Sequence, residues 1–178
     1  MVRAVTLLLV LLLAACAGGA QHSGQNLTYA HRYPGLTCAP FARQEVGLSL
    51  NGDAADWWRE AAGRYVRADR PQIGSVLVFR RSPRVPSGHV SVVSRVLDAR
   101  RILVIHANWV PGELDEDQLV VDVSRRNDWS QVRVWYPPGG RMGTHTYATY
   151  GFIRPHTPLT HDLLLVRAVP AARAATGG

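Results

Sequence analysis

The stretch GHVSVVSRVLDARRILVIHANW, residues 88–109, decides the fold that the sequence predicts. Polar and apolar residues follow a period of about two across residues 89–97 and again across residues 101–109, which is typical of β-strands. Residues 98–100 alone separate the two runs, and a connection this short allows only an antiparallel hairpin. The hairpin therefore supplies two neighbouring antiparallel strands of the predicted sheet.

This hairpin brings three polar side chains to one end of the sheet. The start of the first strand lies beside the end of the second, so His89 is predicted to lie near His106 and Asn108. Strand alternation places His106 and Asn108 on one face together with Ile102 and Val104. The opposite face then receives Leu103, Ile105, Ala107 and Trp109.

Helices are predicted before the hairpin, and more strands around it. One helix begins near Cys38, with Thr37 as its N-cap and Gly47 as its stop. A second helix runs from Asp53 to Ala62. Further strands are predicted over residues 74–80, 131–136 and 148–154. Helices first and antiparallel strands afterwards predict an α+β domain, with N-terminal helices packed on an antiparallel β-sheet.

The first 20 residues, MVRAVTLLLVLLLAACAGGA, have the pattern of a secretory signal. A basic residue precedes an apolar run too short to span a membrane comfortably, and small residues follow. The L-A-A-C sequence ending at Cys16 resembles the bacterial lipoprotein box, in which the cysteine is lipidated. Ordinary cleavage at an A-x-A site is the alternative. The favoured prediction is an exported protein of the periplasm or cell envelope, anchored by a lipid on Cys16.

The rest of the chain divides by composition. Residues 21–34 are polar with glycine and proline and are predicted to be a tether. The folded domain is predicted over residues 35–155. Residues 156–178 form a C-terminal tail that is predicted to be partly disordered.

The charge of the chain favours a negatively charged neighbour. There are 20 basic and 13 acidic residues, for a formal net charge of +7 and a pI near 10.2. A cell-wall polymer or an acidic lipid surface fits this charge, and a solvated surface without a specific partner is the alternative. Nucleic acid is not predicted, because no basic run and no nucleic-acid-binding motif is present.

Cys38 is the only thiol of the predicted domain. Cys16 is either lipidated or removed, so Cys38 has no intramolecular partner. A cysteine at a helix N-terminus has its pKa lowered by the helix dipole and free backbone N–H groups, which favours a reactive thiolate. The alternative is a small buried apolar side chain.

Several motifs in one order resemble a known family. They are the run from Cys38 to Arg43, the run from Gly52 to Ala54 followed by Trp57, the run from Gly74 to Phe79, the run from Gly88 to Val93, and the run from His106 to Trp109. Together they resemble the cysteine, histidine-dependent amidohydrolase/peptidase (CHAP) domain.

The resemblance implies a papain-like α+β fold and a cysteine hydrolase. It makes Cys38 the nucleophile and His89 the general base. The family commonly has an acidic residue at the position of His106, so either His106 or Asn108 orients His89. The implied substrate is peptidoglycan, cut as an N-acetylmuramoyl-L-alanine amidase or an endopeptidase would cut it.

Two other functions remain open at this point. One is a catalytically silent wall-binding lipoprotein that keeps the fold, and the other is an amidase acting on a small-molecule conjugate. The acidic segment Pro111 to Asp117 is predicted to be a solvated turn rather than a metal site, since it holds no histidine or cysteine. No metal and no organic cofactor is predicted.

Overall fold

The structure is a computed structural model, and it describes residues 30–164. The predicted signal segment with Cys16, the tether up to residue 29 and the tail from residue 165 lie outside the described residues. None of the helices within the described part of the chain is long and apolar enough to cross a membrane.

The described residues are mostly β, with few helices. The helices are α1 (Cys38–Val46) and α2 (Trp57–Glu60), with 3-10 turns at Ala54–Asp56 and Pro137–Gly139. The strands are β1 (Ala30–Arg32), β2 (Val66–Ala68), β3 (Val76–Phe79), β4 (His89–Val96), β5 (Arg101–Ala107), β6 (Glu113–Asp122), β7 (Gln131–Tyr136), β8 (Arg141–Met142) and β9 (Tyr147–Arg154). Residues 161–164 are also helical.

The sheet is antiparallel throughout the described strands and closes on itself. Its order is β6–β5–β4–β3–β9–β7, and β7 pairs back to β6. The strands β1, β2 and β8 add to this ring by pairing with β6, β9 and β7. The predicted hairpin is confirmed as β4 and β5, with Val92 opposite Ile105.

Each face of the ring buries its own set of apolar side chains. The inner cluster fills the ring and consists of Leu77, Phe79, Val93, Ile102, Val104, Val120, Trp129, Val132, Val134 and Phe152. The outer cluster joins the ring to α1 and the segment around α2, and it includes Phe41, Ala42, Trp57, Val76, Val78, Val90, Val92, Ile105, Ala107 and Ile153. Alternate residues of a strand face opposite sides, so β3 and β4 contribute to both clusters.

The prediction of one continuous α-helix from Asp53 to Ala62 is wrong. Residues 54–56 form a 3-10 turn, and α2 has a single turn. The N–H of Asp56 donates to the carbonyl of Asp53, and the N–H of Ala62 to that of Arg59. These are bonds to the third residue back, which tighten a helix and keep it short. The domain therefore has less helix than predicted, and the papain-like α+β class stays a prediction.

Residues 156–164, which the sequence assigns to a tail, pack against the domain. Leu164 is fully buried in the outer cluster, and Leu159 contacts Gly74 at the start of β3. The Nδ1–H of His161 donates to the Ser94 carbonyl at 3.0 Å, and Nε2 accepts from the Arg95 guanidinium at 2.8 Å. This part of the predicted tail is ordered on the sheet.

Candidate active site

Helix α1 carries Cys38 at its first position. Thr37 before it is extended, with φ −130° and ψ 154°, and the left-handed Gly47 ends the helix with φ 72°. The buried residues Phe41, Ala42 and Val46 seat the helix on β4 and β5. The predicted helix and its two end residues are confirmed, although the Thr37 side chain makes no capping hydrogen bond.

The Cys38 sulfur lies beside the start of β4. Its thiol is free and half-buried. Burial raises the pKa of Cys38, and the backbone N–H groups of Val90, Ala39 and Cys38 itself partly oppose this rise. The expected lowering of the Cys38 pKa is therefore wrong, because the loss of water outweighs the helix N-terminus. Val90 follows His89 in the chain, so the sulfur lies beside the strand that carries the predicted general base.

His89 and His106 form a buried pair. The Nε2 atom of His89 lies 3.3 Å from Nδ1 of His106, and the two side chains are 4% and 0% exposed. Burial lowers the pKa of His89 to about 3. Burial, and then the charge of His89, lower the pKa of His106 well below its usual value. Both imidazoles are therefore neutral at pH 7, and one ring nitrogen of the pair donates to the other.

Trp109 covers both imidazoles. Its ring stacks on His106 at 5.3 Å and 15° and meets the edge of His89 at 5.0 Å. Phe79 packs against His89 from β3 at 5.5 Å. The prediction that Trp109 points away from His106 is wrong, because β5 ends at Ala107 and strand alternation ends there too.

Asn108 lies in the turn after β5, and its side chain and backbone hydrogen-bond to that turn. Its backbone is left-handed, with φ 63°. Its Oδ1 accepts a hydrogen bond from the Gly112 N–H at 2.8 Å, and its own N–H donates to Glu113. The asparagine side chain thus holds the turn between β5 and β6, a role for which Asn is well suited. Of the two predicted orienting residues, the structure brings His106 to His89.

Gly88 fixes the chain just before His89. Its φ of 75° is one that L side chains rarely adopt. A Cβ atom here would lie 2.6 Å from Ala55 Cβ and 2.8 Å from the Phe79 carbonyl oxygen. The Ala55 N–H donates to the Ser87 carbonyl at 3.0 Å. The 3-10 turn and the loop before β4 therefore press together, and only glycine fits between them.

Asp115 is a buried acid that the sequence prediction missed. The segment Pro111 to Asp117 is not a solvated turn, because β6 begins at Glu113. Asp115 is 0% exposed and pairs with His106 across β5 and β6. Burial, and then the charge of Glu113, raise the pKa of Asp115 to about 6. Acidic residues are depleted in strands, so residue propensity pointed away from a strand here.

The site holds polar atoms without hydrogen-bond partners among the described residues. They are Nε2 of His106 and both carboxylate oxygens of Asp115. Buried polar atoms are usually paired, and exceptions are common at functional sites. Within residues 30–164, no group of three or more His, Cys, Asp and Glu side chains is placed to hold a metal ion. The arrangement is that of a buried neutral histidine pair at the start of β4, with a half-buried thiol at the backbone of the same strand.

Comparison with known proteins agrees with this chemistry. Residues 28–108 match the family model of the CHAP domain, which confirms the resemblance drawn from the motifs. Neither the curated proteins nor the solved structures gave a match. This family consists of cysteine- and histidine-dependent amidohydrolases and peptidases. The match therefore indicates the broad class of peptidoglycan hydrolases and amidases. The matched segment contains Cys38, His89 and His106 but ends before Asp115.

Proposed function

We propose that this protein is a cysteine hydrolase that cleaves an amide bond of peptidoglycan through a thioester. The observation that carries the proposal is the position of the Cys38 sulfur at the Val90 N–H, directly after His89. The Nε2 atom of His89 faces His106, which leaves Nδ1 as the nitrogen for the thiol. Nucleophile, base and orienting residue then follow one another, as in other catalytic triads.

The proposed reaction starts from the neutral pair. Cys38 gives its proton to His89 as the sulfur attacks the amide carbonyl, and the Cys38 N–H at the helix start stabilises the oxyanion. The C–N bond breaks, and His89 returns the proton to the leaving amine. Water then attacks the thioester, losing a proton to His89, and releases the carboxylic acid and the Cys38 thiol. His106 keeps the imidazole of His89 in one orientation.

The pKa shifts of Cys38 and His89 define the protonation state of the resting site. Burial raises the pKa of Cys38 and lowers that of His89, so a thiol and a neutral imidazole are favoured over an ion pair. Charge separation then occurs only as the substrate carbonyl is attacked. Slow alkylation of the resting enzyme by iodoacetamide at pH 7 is expected, compared with an activated thiolate.

Digestion of purified peptidoglycan tests the proposal. The wild-type protein is expected to release new ends, and Cys38→Ala is expected to release none while unfolding at the same temperature. Mass spectrometry of the products identifies the bond, since new N-acetylmuramic acid ends mean an amidase and new amino termini within peptides mean an endopeptidase. Equal product from wild type and Cys38→Ala would overturn the proposal.

Export and lipidation are part of the proposal and are supported by the first 20 residues alone. The lipobox ending at Cys16 supports a mature protein that begins with a lipidated cysteine on the cell envelope. Mass spectrometry of the N-terminal peptide from membranes distinguishes a lipidated Cys16 from ordinary cleavage. A Cys16→Ala variant recovered in the soluble fraction is the expected companion result.

The burial of the site favours one second candidate, a silent wall-binding protein. His89 is only 4% exposed, and burial raises the Cys38 pKa, as in an inert thiol. A silent protein would sediment with peptidoglycan and release no products. Wild type and Cys38→Ala would then behave alike in both the sedimentation and the digestion assay.

A further inference from the structure

A cavity of about 330 Å³ opens beside the histidine pair. Its lining includes Arg84, Trp109, Tyr136, Arg141 and Tyr147. Apart from Arg84, these residues follow residue 108 and lie beyond the family match. The cavity is therefore a feature of this chain that the family match does not cover.

Trp109 is the wall between the cavity and the proposed active site. One indole contacts His106, His89 and Tyr147, with the Tyr147 ring centroid at 5.1 Å. A ligand in the cavity thus lies one aromatic ring away from the imidazoles. Tyr136 and Arg141 are opposite each other on β7 and β8, which places both at the same rim.

The two arginines of the cavity have no side-chain partner within residues 30–164. Neither Arg84 nor Arg141 makes an ion pair, a hydrogen bond or a cation–π contact with another described residue, and both are exposed. Many other arginines are engaged, such as Arg81 with Asp53 and Asp56 at 2.7 Å each. The charge of Arg84 also acts on the Tyr147 hydroxyl, against the rise in the Tyr147 pKa that burial causes. Arg84 therefore faces the cavity.

We propose that this cavity binds a free carboxylate of a peptide substrate, with Arg84 and Arg141 holding the anion beside the aromatic walls. Guanidinium groups match carboxylates in shape and charge, and two unpaired ones at one opening favour an anion over a neutral ligand. The inference rests on the proposed function for its choice of a peptide. It assigns the substrate class as stem peptides with at least one unmodified carboxyl group.

Binding to the non-cleaving Cys38→Ala protein tests this subsite. Isothermal titration calorimetry would compare the synthetic peptide L-Ala–γ-D-Glu–L-Lys–D-Ala with the same peptide amidated at its carboxyl groups. The acid is expected to bind more tightly. In the same background, Arg84→Gln and Arg141→Gln are each expected to weaken the binding of the acid peptide by about five-fold, which is the upper range for an exposed ion pair. The affinity for the amidated peptide should not change.

Arg125→Gln is the matched control, since Arg125 is also exposed and makes no ion pair with a described residue, but lies on another surface. It is expected to change neither affinity. Equal binding of the acid and the amidated peptide would overturn the subsite. Tighter binding of the peptide-free disaccharide would also overturn it, because the aromatic walls would then bind sugar. Charge-dependent binding without any peptidoglycan hydrolysis by the wild type would keep the subsite and sink the proposed function.

Discussion

Strand β6 carries two buried aspartates, one near each end, and their surroundings are opposite. Asp122 accepts a hydrogen bond from the Ser124 N–H at 2.7 Å, and its carboxylate lies 3.6 Å from the Arg100 guanidinium. Asp115 is equally buried, and neither of its oxygens has a hydrogen-bond partner among the described residues. The same side chain on the same strand is satisfied at one end and left unsatisfied at the other.

The difference separates an end of the sheet whose polar groups are satisfied from the end where the active site is proposed. At the turn between β4 and β5, Asp98 is bonded to the Arg100 N–H and to the Arg101 guanidinium. At the opposite end, His106 of β5 lies opposite Asp115 of β6 in the strand register. Nε2 of His106 and both carboxylate oxygens of Asp115 have no hydrogen-bond partner among the described residues. Such local departures from the rule of paired polar groups are expected at functional sites. Stability should therefore respond differently to changes at the two ends.

The largest expected effect comes from closing the space before His89. Gly88→Ala should lower the free energy of unfolding by about 3 kcal/mol or more, because its Cβ would strike Ala55 and Phe79 in a strained backbone conformation. Urea unfolding measures the change. Gly112→Ala is the matched control, with φ 76° and nothing within 4 Å of its Cβ, and should cost about 1 kcal/mol. Equal costs at the two glycines would contradict the close contact.

The next effect is on catalysis at the unsatisfied end. His106→Gln should lower kcat/KM on peptidoglycan roughly 10- to 100-fold, because His89 loses its orienting partner. His156→Gln, an exposed histidine stacked on Tyr65, is the control and should keep full activity. An unchanged rate in His106→Gln would show that the pair does not serve catalysis.

The histidine pair also predicts an acid-sensitive fold. The folded pKa of His89 is about 3, whereas an unfolded histidine titrates near 6.5. The unfolded state therefore binds more protons between these values, and stability falls as the pH drops below about 6.5. Each buried histidine contributes up to about 1.4 kcal/mol per pH unit. The slope should be shallower in His106→Gln, and an identical slope would contradict neutral burial.

The two buried aspartates of β6 predict a smaller effect, in which one substitution stabilises the protein and the other destabilises it. Asp115→Asn should raise the free energy of unfolding by about 1 to 2 kcal/mol at pH 7.5, since the folded pKa near 6 exceeds the unfolded value of about 3.9. The advantage should vanish below about pH 4, where both states are protonated. Asp122→Asn should instead destabilise the protein, because it weakens contacts to Ser124 and Arg100. Losses in both variants would contradict the contrast between the two ends.

The smallest effect belongs to the exposed partner of Asp122. Arg100→Gln should cost no more than about 1 kcal/mol, because the guanidinium is 44% exposed and Asp122 keeps its bond from Ser124. Activity should not change, since the turn lies at the far end of the hairpin from His89. A measurable loss of kcat/KM in this variant would contradict the expectation that only the His89 end of the sheet affects activity.

The sequence predicted the local part of the site well. The short connection at residues 98–100 required a hairpin, and the hairpin brought His89 to His106 without knowledge of the rest. Asp115 was missed because its neighbours are acidic, and only the pairing of β6 with β5 shows that the segment is a strand. The pKa of Cys38 could not be predicted either, since burial depends on how α1 lies on the sheet.

The closed ring has a consequence for how the chain reaches its native state. Strand β3 is held between β4 and β9, and Val76 pairs with Ile153, a residue far along the chain. A fragment that ends at residue 108 would carry the proposed nucleophile and base but would leave the β3 and β5 edges open to intermolecular pairing. The proposed nucleophile and base therefore precede, along the chain, the strands that close the ring. Pairing between strands so far apart in the chain predicts slow folding.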